Sequence, residues 1–122
     1  GILRYIQQFD ALECLSLEDT LLDNLPESLD RLHSLKELSL RRCRSLTRTP
    51  TVLDNMTFLQ VLDLRGCTNL QKLSDGIGKM DGLQILRLSM TYLVDLPNTI
   101  GYLTNLKALH LEGTHETEKG PS

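Results

Sequence analysis

The sequence predicts an α/β solenoid, a coiling chain with short parallel strands along one side and short helices or 3₁₀ turns along the other. Three observations carry that expectation. Leucine fills 28 of the 122 positions, more than every other apolar residue type combined. The pattern Leu-x-x-Leu-x-Leu occurs five times, starting at Leu12, Leu35, Leu59, Leu83 and Leu106. Successive copies begin 23, 24, 24 and 23 residues apart, and every copy keeps its three leucines. Such periodicity marks a repeat architecture, in which a unit can bury its apolar face only against its neighbours.

Each element follows from its spacing. A half repeat over residues 1–11 opens the chain, with Ile2, Ile6 and Phe9 in the places of Leu96, Ile100 and Leu103. The first leucine triplet is Leu12-Glu13-Cys14-Leu15-Ser16-Leu17. Alternating leucines turn one strand face inward with period two, and stacking sets neighbouring strands about 4.8 Å apart. Beyond the last leucine of each copy stands Thr20, Cys43, Cys67, Thr91 or Thr114. After threonine the next apolar repeat position is two on (Leu22, Leu93); after cysteine it is three on (Leu46, Leu70), which accounts for the longer copies. Then come Leu25-Pro26, Thr49-Pro50, Leu73-Ser74 and Leu96-Pro97, each followed by a spaced pair: Leu29/Leu32, Leu53/Met56, Ile77/Met80 and Ile100/Leu103. A spacing of three suits a short helix or 3₁₀ turn, with proline at its first position. One repeat domain is expected over residues 1–114, and residues 115–122 as a polar, disordered tail.

These phrases resemble the leucine-rich repeat family, and the likeness runs from Ile2 to about Thr114. The resemblance implies a curved right-handed coil with its strands on the concave face and its short helices or 3₁₀ turns on the convex face. Thr20, Cys43, Cys67, Thr91 and Thr114 stand where the family usually has asparagine, whose side chain bonds backbone groups of adjacent coils. Threonine can do this through its hydroxyl, cysteine only weakly through S–H. Two branches of the family fit the 23/24 alternation. Secreted effectors of plant-pathogenic bacteria, of the ligase-bearing Xanthomonas type, mix Thr-x-Leu and Cys-x-x-Leu coils, and Leu62-Asp63-Leu64-Arg65-Gly66-Cys67-Thr68 is similar to their units. Plant intracellular immune receptors share the Gly-Cys-x-x-Leu and Leu-Pro-x-x-Ile-Gly phrases. The resemblance therefore implies an intracellular protein–protein interaction module. It would be the target-recognition domain of an effector acting in host cytoplasm, or the ligand-sensing segment of an immune receptor. An alternative of another class is the substrate-binding part of a ubiquitin ligase whose catalytic module lies outside these residues.

No enzyme, cofactor or metal is expected from the residues themselves. A net charge of −3, with 13 basic and 16 acidic side chains, argues against a general nucleic-acid binder. No apolar run approaches the roughly 18 residues of a membrane span, and no signal-peptide pattern opens the chain. Cys14, Cys43 and Cys67 form no zinc motif and are odd in number, so reduced thiols are expected, with Cys43 and Cys67 stacked as small core residues. Asp75-Gly76-Ile77-Gly78-Lys79 lacks phosphate-loop spacing and aligns as a repeat position. His110, Glu112, His115, Glu116 and Glu118 match no ligand motif. Asn55-Met56-Thr57 reads as a glycosylation acceptor, but Met56 is a core position.

The informative residues are those between the strand leucines, which stacking arranges as columns. The residue before the middle leucine runs Cys14, Glu37, Val61, Ile85, Ala108; the one after it runs Ser16, Ser39, Asp63, Arg87, His110. Val61, Ile85 and Ala108 should form an apolar strip on a solvated face, with Met90 nearby. Arg41, Arg42, Arg65 and Arg87 border it, joined by Arg44 at the following turn, while Glu37 and Asp63 could neutralise some of that charge. An apolar strip edged by arginines has the composition of an interface centre, and arginine pairs bidentately with carboxylate or phosphate. The expected partner is an acidic or phosphorylated protein segment lying across the third and fourth strands. The solenoid ends, where Ile2, Ile6 and Phe9, and Leu106, Leu109 and Leu111, would be uncovered, imply either a segment of a longer protein or self-association through those ends.

Overall fold

The computed structural model describes residues 1–115; of the tail expected over residues 115–122, all but His115 lies outside the described residues. Five three-residue strands carry the middle leucines: β1 (Cys14–Ser16), β2 (Glu37–Ser39), β3 (Val61–Asp63), β4 (Ile85–Arg87) and β5 (Ala108–His110). They form one parallel sheet in the order β1-β2-β3-β4-β5. The register pairs Leu15, Leu38, Leu62, Leu86 and Leu109 in a single column. Hydrogen bonding between coils extends past the strands on both sides. Lys36 N–H reaches Glu13 O at 2.8 Å before β2, and Asp19 N–H reaches Arg41 O at 2.9 Å beyond β1.

Opposite the sheet lie five 3₁₀ turns: η1 (Ile6–Gln8), η2 (Glu27–Arg31), η3 (Thr51–Asn55), η4 (Asp75–Lys79) and η5 (Asn98–Tyr102). Each ends on the expected apolar pair, with the backbone N–H of the second member donating to the carbonyl of the first, as in Leu32 to Leu29 and Leu103 to Ile100. Proline sits one position earlier than expected. Pro26, Pro50 and Pro97 precede the first helical residue with φ between −59° and −66°, the value their rings fix.

The leucines between sheet and turns make one continuous core, with Leu38, Leu62 and Leu86 at 0 % exposure. Burial weakens toward both ends, as a stack of units requires. Leu109 is 37 % exposed, Leu106 and Leu111 are half-buried, Ile2 is 91 % exposed and Phe9 57 %. Ile6 departs from the expected pattern. It is 8 % exposed because η1 packs against η2 and brings it under the first full coil.

The threonine and cysteine positions divide by how they bond. Thr20 and Thr91 donate their hydroxyls within their own coil, to Leu17 O at 2.9 Å and Leu88 O at 2.8 Å. Cys43 and Cys67 instead reach back one coil, donating S–H to Leu17 O at 3.3 Å and Leu40 O at 3.0 Å. Both cysteines are buried free thiols. Between strand and threonine or cysteine, every coil passes through a left-handed residue: Asp19, Arg42, Gly66, Met90 and Gly113, with φ between 58° and 76°. The two glycines lie beneath long neighbours. A Cβ on Gly66 would stand 2.8 Å from Arg42 Cγ, and one on Gly113 would strike Met90 Sδ.

Candidate protein-interaction face

Val61, Ile85 and Ala108 are direct partners across β3, β4 and β5, all half-buried on the sheet face turned away from the core. Toward the other end the same column becomes polar. Glu37 is the register partner of Cys14 and accepts its S–H at 3.5 Å, and among the described residues the arginines face Glu18, Asp19 and Asp63 instead. Partial burial, together with the adjacent Glu37 hydrogen bond and charge, raises the Cys14 thiol pKa.

Beside the strip, most of the arginine charge is balanced within the face. Arg41 Nη1 lies 3.4 Å from Glu18 Oε1, and Arg42 Nη2 lies 2.9 Å from Asp19 Oδ2. Arg65 and Asp63 form the tightest unit. Arg65 Nε and Nη2 clasp the two carboxylate oxygens at 2.9 and 2.6 Å, and the Arg65 backbone N–H adds a bond at 3.1 Å. This fork covers Asp63, which is 4 % exposed, so a residue expected on the binding surface instead lies beneath it and orients Arg65. Burial pushes the Asp63 carboxyl up, but the Arg65 hydrogen bonds and the charges of Arg65 and Arg87 outweigh it and hold the group below its usual value.

Arg87 is placed differently. Its Nη1 lies 3.9 Å from Asp63 Oδ2, an oxygen already taken by Arg65, and its buried Nε has no hydrogen-bond partner among the described residues. Arg87 and His110 are register partners next to the Ile85–Ala108 pair. Glu112, beyond β5, accepts the Ser89 hydroxyl. Met90 is 58 % exposed and lies over Gly113 at the edge of the same region. The sequence columns thus agree with the strand register and rightly anticipate Asp63 as a neutralising acid, but Glu18 and Asp19, not Glu37, face Arg41 and Arg42. The Asp63–Arg65 unit had a signal, since residues two apart on a strand share a face.

Among the described residues no group of three or more His, Cys, Asp and Glu side chains is gathered as a metal site needs. No helix among them is long and apolar enough to cross a membrane.

The leucine-rich repeat family model matches residues 58–80, the stretch that contains β3. The leucine-rich repeat domain of the type III effector XopL superposes with a TM-score of 0.77 at 33 % identity, over 88 % of this chain and 39 % of that one. The chain folds as a leucine-rich repeat solenoid. A Leptospira interrogans leucine-rich repeat protein is similar at 27 % identity and a TM-score of 0.61, over 88 % of this chain and 33 % of that one. The plant peptide hormone receptor RGFR1, solved in complex with RGF2, shares the fold at 22 % identity and a TM-score of 0.66, over 89 % of this chain and 18 % of that one. This leucine-rich repeat domain spans well under half the length of each. No curated protein matches its sequence at a significant level. Leucine-rich repeat domains generally serve as non-catalytic protein-interaction modules, presenting an extended concave surface.

Proposed function

We propose that this domain is the target-recognition part of a bacterial effector, and that it binds a host protein inside the host cell through its concave face. One observation carries the reading: Val61, Ile85 and Ala108 stand in register and half-exposed where the core makes no use of them. Partner surface laid over such a strip removes apolar area from water, while the flanking arginines fix its orientation. The likeness to XopL, at 33 % identity, supports an effector over other users of the fold. Any ubiquitin-ligase chemistry would belong to a separate module, and this domain would supply substrate choice.

The test is affinity capture from plant cell extract with wild type, Ile85→Asp and Arg87→Gln, after each variant's folding is checked by circular dichroism. A host protein retained by wild type and lost by both variants is the expected result. Arg65 is a poor control, because Arg65→Glu would set a second carboxylate against buried Asp63. Equal capture by all three proteins contradicts the reading.

A further inference from the structure

We draw no further inference here: the strongest candidate, the apolar hollow between the chain after β3 and the chain after β4, where Leu73, Val94, Leu96 and Pro97 meet with both Lys72 and Asp95 at the rim, carries nothing, because its charges are mixed and nothing in the structure shows what covers it.

Discussion

The backbone N–H of Ser74 donates to Thr49 Oγ1 at 2.8 Å, joining two neighbouring coils where both depart from the repeated Leu-Pro phrase. Ser74 stands in the place of proline and therefore carries an N–H that proline lacks. Thr49 stands in the place of leucine and is 1 % exposed, so its hydroxyl needs a partner inside the protein. Each departure satisfies the other. The Ser74 hydroxyl also accepts from Gly76 N–H and donates to Asp54, starting η4 without the proline.

Thr49→Val strips the acceptor from the Ser74 N–H and is expected to cost about 1–3 kcal/mol. In a Ser74→Pro background that N–H is gone, and φ of −60° at the site already suits proline. There the same Thr49 substitution should cost less than about 1 kcal/mol, since no buried donor is orphaned. Urea unfolding of the four proteins of the cycle measures the coupling, and strictly additive costs would contradict it.

Stability should fall as the pH drops below about 4, the carboxyl value of an unfolded chain, through the Asp63 carboxyl. Its folded pKa is lowered, so the folded state binds this proton less readily than the unfolded state. The contribution is present above the unfolded value and is lost as pH falls through the folded one. Thermal melts of wild type and Asp63→Asn between neutral pH and about pH 3 check this. The difference between them should narrow toward the acid end; a constant gap would count against the Asp63–Arg65 clasp.

Thiol chemistry should separate the three cysteines. Burial pushes the Cys67 thiol up to about 11, and Cys43 is shut in the same core. Cys14 is exposed, although partial burial and Glu37 raise its thiol as well. Iodoacetamide at pH 8 should modify Cys14 slowly and the other two only after unfolding, with Glu37→Gln speeding Cys14, since only the thiolate is nucleophilic. Mass spectrometry of the intact protein over time reads the outcome. Early modification of Cys43 or Cys67 would mean that the coils open far more readily than this core allows.

The leucine grid was legible because strand and turn leucines answer to the same requirement in every coil, and Leu38, Leu62 and Leu86 repeat it without change. The column Val61, Ile85, Ala108 was legible for the same reason: period-two alternation fixes which face a residue takes. Relations between coils were hidden. Nothing local to Thr49 or Ser74 announces their bond, since 25 residues separate them. Left-handed backbone was hidden too, because Arg42 and Met90 adopt it at positions where only Gly66 and Gly113 advertise it. The arginines looked like one basic zone because their acids, Glu18 and Asp19 among them, lie a coil away in sequence.

A protein partner held by the concave strip would feel a change on that strip and not one on the opposite side. Once a host protein has been captured, its affinity should be measured by calorimetry for wild type, Ile85→Asp on the concave face and Lys79→Glu on the exposed side of η4. About a tenfold or greater loss is expected for Ile85→Asp, the scale of an interface hot spot, and wild-type affinity for Lys79→Glu. Unchanged binding by Ile85→Asp, with loss in Lys79→Glu, would move the interface to the convex side and contradict it.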